Sequence, residues 1–313
     1  MPESYVELVQ RLSVQSVKKH FDAYADVAWD APEMAIDPHD PRWELPADSS
    51  LGGSDWYKAQ PASIRAEIGL HTVASAMKVG VVFESVLKRG LLEYASTLDN
   101  RAPEFRYAYH EVIEEAQHSL MFQEFINRTP FDPPGLSPRT RAGARFVVRL
   151  GRVFPELFFL FVLGGEEPID FVQRRELRSA REMHPLLKRI SQIHITEEAR
   201  HLCFAREFLQ QRVPQLPTHK RIRLGIAAPF ILAEMARMML EPSGRLIRRY
   251  QIPREVIRAA YHDNPKHEAN VRESLASVME LCRELKILNR KNAWLWRVLG
   301  LGDPFKAPLV AGS

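Results

Sequence analysis

The chain has 313 residues, 45% of them hydrophobic and 26% charged, with a net charge of +4 when its 11 histidines are counted neutral. That composition is ordinary for a soluble globular protein with a sizeable core, and no basic run is long enough to mark a nucleic-acid partner. Two cysteines, Cys203 and Cys282, exclude a disulfide framework and fit a reducing, cytoplasmic compartment.

The N-terminus MPESYVELVQRL lacks the charged start and apolar stretch of a signal peptide. The most apolar run, residues 153–165, is too short to cross a bilayer and contains Glu156, so no membrane partner is expected. Helical periodicity dominates, and no alternating strand pattern stands between hairpin turns. A short amphipathic helix is expected over 5–21. Residues 22–62, rich in Asp, Pro and Trp, read as an irregular arm packed across the surface. A long helix follows over 64–97 with Ser63 as its N-cap, then another over 102–127.

The stretch TPFDPPGLSP, 129–138, is a firm break. Beyond it, 139–166 reads as helix, and Pro168 either kinks it or starts a new segment reaching about 182. Further helices fit 186–212, 219–240, 253–261 and 267–290. The tail ends in WLWRVLGLGDPFKAPLVAGS and is expected to be loosely ordered at its very end. The expected fold class is all-α. It comprises a ferritin-like four-helix bundle core over 63–213, an N-terminal helix and arm over 1–62, and accessory helices over 214–313, all within one domain.

Two segments carry the chemistry: HEVIEEAQHSLMF, 110–122, and HITEEARHLCF, 194–204. Each holds Glu-x-x-His, Glu115 with His118 and Glu198 with His201, and residues three apart share a helix face. A carboxylate and an imidazole one turn apart can coordinate one side of a metal site together. Two more acids sit in apolar helices: Glu84 in VGVVFESVL and Glu167 after FFLFVLGG. An ionised carboxylate there is costly unless it is paired or bound to metal, and snorkelling or a salt bridge is the plain alternative for either one alone.

The order Glu84, Glu115/His118, Glu167, Glu198/His201 is single, pair, single, pair on successive helices. Ferritin-like di-iron carboxylate proteins use that arrangement. His194 precedes Glu198 by four and His201 by seven, so the three form one stripe of about 10 Å. The corresponding stripe in the first motif is Glu111, Glu115, His118, with Glu111 expected to stand behind the ligands. Four carboxylates balance two divalent irons, and mixed oxygen and nitrogen donors suit iron or manganese.

These segments resemble the para-aminobenzoate N-oxygenase (AurF-like) non-haem di-iron family. The likeness extends over about 25–240 and includes the Asp/Pro/Trp-rich arm, FES, EEAQH, GGEEP and HITEEARH, with His194 its most specific feature. It implies Glu84, Glu115, His118, Glu167, His194, Glu198 and His201 as metal ligands. Glu167 is preferred to Glu166 on spacing alone, and Glu84 to Glu93 because its surroundings are more apolar.

The resemblance also implies two iron ions, with manganese possible, and oxidation by O2 of an amine, typically an aryl amine, to hydroxylamine and onward to nitro. An external electron donor of ferredoxin/reductase type and a homodimer are further implications. Alternatives that the ligands leave open are hydroxylation or desaturation at carbon, ferritin-type iron handling, a tyrosyl-radical role for Tyr107 or Tyr109, and a helical protein without metal.

Overall fold

The computed structural model describes residues 3–133, 138–302 and 305. Among them there is no strand, and the protein is all-α in a manner consistent with a ferritin-like fold. Helix α1, Tyr5–Lys18, starts at a capping box in which the Ser4 hydroxyl accepts from the Glu7 amide and the Glu7 carboxylate accepts from the Ser4 amide. It stops three residues short of the expected end.

The arm that follows has only brief 3-10 turns at Pro32–Met34 and Pro41–Trp43 and one helical turn, α2, Asp55–Lys58. Its aromatic side chains tie it down. The Trp29 indole donates to the Ala23 carbonyl at 2.7 Å, and Trp43 stacks on His184 with ring centroids 4.2 Å apart. Both tryptophans are buried, so the arm is a structural layer and not a loose leader.

Helix α3, Ala62–Ala95, begins at Pro61 without a side-chain cap, so Ser63 lies inside the first turn and does not cap it. The Trp43 carbonyl occupies the place where a Cβ would stand on Gly69, so only glycine lets the arm settle on α3 here. α3 is the one described helix long and apolar enough to cross a membrane, yet half of that apolar stretch is buried within the protein and Glu84 lies in the same helix.

Helix α4, Pro103–Asn127, ends where the sequence break begins; residues 134–137 of that break lie outside the described residues. Helices α5, Pro138–Val153, and α6, Pro155–Arg178, correct the expected boundary: the chain breaks at Phe154, not at Pro168. Pro155 disfavours helical geometry in its predecessor, and Phe154 sits at φ −154°, ψ 67°. Pro168 lies inside α6, where tertiary packing outweighs the lost hydrogen bond: residues 157–168 are all buried.

Helix α7, Pro185–Arg212, is capped by the His184 ring, which accepts from the Leu186 amide. α3 packs along α4 and α5, and α6 along α7 and α8, Thr218–Leu240. The remaining helices are short: α9 Gly244–Arg249, α10 Arg254–Ile257 continued by a π-turn to His262, α11 Pro265–Ser274, α12 Ala276–Glu284 and α13 Ala293–Val298. The single helix expected over 267–290 is thus two. The tail expected to be loose lies, beyond 302, almost wholly outside the described residues.

The Gly69 contact is testable. Gly69→Ala should force the arm off α3 and cost about 1–3 kcal/mol, seen in calorimetry as a melting temperature lower by several degrees. An unchanged melting temperature would show that the contact does not hold the arm.

Candidate metal centre

Helices α3, α4, α6 and α7 each send carboxylates or imidazoles to one buried spot. Glu84, His118 and His194 have ligand atoms within 4.8 Å of one another, and so do Glu166, His194 and Glu198. The same holds for Glu111, Glu115 and His201, for Glu115, His118 and Glu198, and for Glu84, Glu115 and Glu166. These sets overlap through Glu115 and Glu198, so they form one constellation of five carboxylates and three imidazoles, all buried.

The geometry suits chelation. His201 Nδ1 lies 3.2 Å from Glu115 Oε1 and 3.1 Å from Glu198 Oε1, and His118 Nδ1 is 3.1 Å from Glu115 Oε2. His194 Nε2 is 3.8 Å from Glu84, 4.0 Å from Glu166 and 3.7 Å from Glu198. Donor atoms at about 2.0–2.2 Å from a shared ion stand roughly 3–4 Å apart.

Each histidine is also held from behind. His118 Nε2 bonds Glu197 at 2.9 Å, and His201 Nε2 bonds Glu114 at 2.7 Å. Each Glu-Glu-x-x-His motif therefore supplies the outer carboxylate for the other motif's histidine. That partner keeps Nε2 protonated and turns Nδ1 toward the centre. His194 is turned the other way, its Nδ1 bonded to Gln173 Oε1 at 2.9 Å and its Nε2 facing inward.

Arg200 joins the two outer carboxylates, 2.8 Å from Glu114 and 3.7 Å from Glu197. The arm closes this face. The Phe21 amide donates to Glu197 at 3.1 Å, and the Ala23 amide to Gln117 at 2.9 Å. On another side Lys88 Nζ donates to the Glu115 carbonyl at 3.1 Å and to the Ser119 hydroxyl.

The donor set fits divalent metal better than it fits any protein partner. Oxygens of Glu84, Glu111, Glu115, Glu166 and Glu198 are buried without a hydrogen-bond partner, and Glu111 has none on either oxygen. Buried polar atoms are rarely left so, and ions are one standard explanation. Electrostatics agree. Burial and neighbouring carboxylates push Glu84 and Glu166 well above the usual range, and burial does the same to Glu111. Burial alone would lower His118, but bonds to Glu115 and Glu197 push it up to about 10.

Glu167, expected from spacing, is not in the constellation. It turns away and pairs with Arg206, while Glu166 faces inward. One residue rotates a helical side chain by about 100°, so the two neighbours face different sides. Glu111 lies inside a ligand set, not behind one. Glu93 is in none of the sets. The sequence reading passed over the outer pair Glu114 and Glu197, although the doubled glutamate of each motif is a signal that could have found them. Tyr107 is buried near Glu111, whereas Tyr109 is exposed.

One side of the constellation opens onto a cavity of ≈ 900 Å³, whose wall includes Glu84, Glu166, His194, Phe83 and Phe122. Gly165 belongs to the same wall; the Phe83 ring fills the space a side chain there would need, which brings α6 close to α3.

An all-α protein with a buried Glu/His constellation of this kind has side chains that could hold metal between its helices. The family model described as P-aminobenzoate N-oxygenase AurF matches residues 2–286, and the chain belongs to that family of di-iron oxygenases. Uncharacterized proteins of Mycobacterium bovis and of two strains of Mycobacterium tuberculosis are each 37% identical over 294 residues, covering 94% of this chain and 86% of the relative. No solved structure matches the chain.

Two outcomes follow. Glu166→Gln should lower bound iron in a metal assay, and Glu167→Gln should leave it unchanged; the reverse result would return the ligand role to Glu167. Metal uptake should also release protons, because the raised carboxyls must ionise and His118 must give up its extra proton. Affinity should therefore rise with pH, read by titration calorimetry in buffers of different ionisation heat. Uptake without proton release would contradict the assignment.

Proposed function

We propose that this protein is a di-iron N-oxygenase that uses O2 to oxidise an amine, with an aryl amine as the expected substrate class, to the hydroxylamine and onward to nitro. The observation that carries the reading is a ligand constellation with one open flank. Glu84, Glu166 and His194 form part of the cavity wall, while the outer carboxylates, Arg200 and the arm close the side of His118 and His201. The ligands in this reading are Glu84, Glu115, His118, Glu166, His194, Glu198 and His201, with Glu111 as an eighth donor.

Two irons held there would supply the redox chemistry that activates dioxygen. The first step balances as RNH2 + O2 + 2e⁻ + 2H⁺ → RNHOH + H2O. Its electrons come from a separate donor of ferredoxin/reductase type, since no dinucleotide-binding glycine loop accompanies the site. Manganese in place of iron is a variant of the same reading, and a cytoplasmic homodimer is its expected setting.

The chain's own residues do the rest. Glu114, Glu197 and Gln173 fix the three rings, so no ligand must reorient during turnover. Phe122 lies 5.3 Å from His194 and, with Phe83, makes an apolar rim that excludes water next to the open flank. A neutral amine in that dry mouth presents its lone pair to the centre.

The test is anaerobic reconstitution with ferrous iron, then exposure to labelled O2 with aryl and alkyl amines beside carbon-only substrates. Mass spectrometry should find label on nitrogen. Label on carbon alone would replace this reading with hydroxylation, and iron storage without product would replace it with iron handling. Glu114→Ala and Glu197→Ala should each weaken metal affinity by about 10–100-fold, measured with a competing chelator; unaltered affinity would remove these two carboxylates from the support of the site.

A further inference from the structure

Lys and Arg are unevenly spread along the chain. Three stretches, 133–155, 208–233 and 285–302, hold thirteen of them and not one Asp or Glu. The whole chain is only +4, so the remainder is acidic. The three stretches are distant in sequence and adjacent in space. Helices α5 and α8 both pack on α6, and Lys220 in the first turn of α8 sets its Nζ 5.4 Å from the centre of the Phe154 ring, at the end of α5. Further along α8, the Asn292 side-chain amide donates to the Gly225 carbonyl at 3.0 Å and ties the third stretch to the second.

The surface they make is apolar as well as basic. On α5, Arg145, Arg149 and Arg152 are exposed one helical turn apart, beside Phe146 at 64% and Val153 at 49% exposure. On α8, Ile222, Ile226 and Phe230 form an exposed stripe at steps of four, flanked by exposed Arg221 and Arg223. Exposed Arg290 and Lys291 precede Trp294 and Val298, which are 55% and 75% exposed. The acids at the margin leave the excess standing. Glu156 is buried and faces Arg212 at 3.8 Å, and Glu234, past the end of the stripe, pairs with Arg237. Helix α3, which packs along α5, brings one charge of each sign in Arg89 and Glu93, and Glu284 is exposed just before the third stretch.

We propose that this face docks the protein on an anionic lipid surface. Trp, Phe and Ile side chains set among arginines suit the headgroup boundary, where apolar tips enter the acyl layer and guanidiniums meet phosphates. A nucleic acid would answer the charge but not the aliphatic Val153, Ile222, Ile226 and Val298, since bases stack on aromatic rings. A second copy of the chain would set like charges against each other. Contact with a surface needs no span, so this replaces the expectation of no membrane partner, which rested on the lack of one. The inference does not depend on which reaction the centre performs.

The test is flotation of the metal-loaded protein with vesicles of pure phosphatidylcholine and of phosphatidylcholine mixed equally with phosphatidylglycerol. The mixed vesicles should carry the protein and the pure ones should not, and raising salt from about 0.1 to about 0.5 M should weaken the binding strongly. Arg149→Glu, Arg152→Glu and Arg221→Glu together should weaken it by at least about hundredfold. Lys58→Glu, Arg254→Glu and Lys266→Glu lie elsewhere, the first two beside the cluster that joins α2 and α10 to the start of α3. Together they should cost less than about tenfold. Phe146→Ser with Trp294→Ser should weaken binding about tenfold. Equal losses from the two sets of charge reversals would overturn the face, and equal binding to both vesicles would overturn the charge. No binding to either vesicle would overturn the proposal outright; self-association or binding to polyglutamate in its place would give the face to a second copy or to an acidic protein. The vesicle series needs no variant, so misfolding of a substituted chain cannot shelter the idea.

Discussion

Everything in this protein is arranged around a buried concentration of negative charge. Five carboxylates and three imidazoles meet in the centre of a helical core, with two more carboxylates directly behind them. Burying one unpaired carboxylate costs several kcal/mol, and like charges at these distances raise the cost steeply. Protonation can relieve part of it, as the upward displacement of Glu84, Glu111 and Glu166 records. Arg200, Lys88 and the histidines relieve another part. Oxygens left without partners mark what those groups do not reach, and divalent cations are the occupants that answer both charge and coordination.

Holding such a centre requires a rigid surround, and the arm is part of it. Its backbone amides at Phe21 and Ala23 bond side chains of both motifs, Glu197 in one and Gln117 in the other. Further along, Trp29 and Trp43 are buried in one cluster with side chains of α4 and α7, and its seating on α3 depends on Gly69 having no side chain. The irregular segment therefore links the stability of the fold to the orientation of His118. The crossed bonding of the two Glu-Glu-x-x-His motifs has the same effect: neither histidine keeps its orientation unless the opposite helix is in place. Rigidity on that side is matched by space on the other, where three members of the constellation meet the cavity.

Much of this was legible in the residues themselves. Acids flanked by apolar neighbours, two Glu-x-x-His pairs and the stripe from His194 identified four helices and most of the centre, because each signal depends on local helical periodicity. What failed depended on rotation or on distant contacts. Glu166 and Glu167 are equivalent in any one-dimensional reading; the choice between them is made by Arg206, which faces Glu167 from α7. Glu111 shared the correct stripe but its depth was set by how close α4 lies to α7. Ser63 had the right chemistry for a cap, yet Pro61 had already started the helix. Pro168 looked like a breaker, but complete burial of the surrounding turns kept α6 continuous, and the actual break was written in the restriction Pro155 places on Phe154. The size of the cavity arises from segments distant in the chain and has no linear signature.

The most direct measurement is anomalous diffraction at the iron edge from crystals grown with ferrous iron under argon. The account predicts two peaks a few ångströms apart within the ring of Glu84, Glu111, Glu115, His118, Glu166, His194, Glu198 and His201, with Glu167 still turned toward Arg206. Density for no metal in that ring, or for ions only at the protein surface, would contradict it.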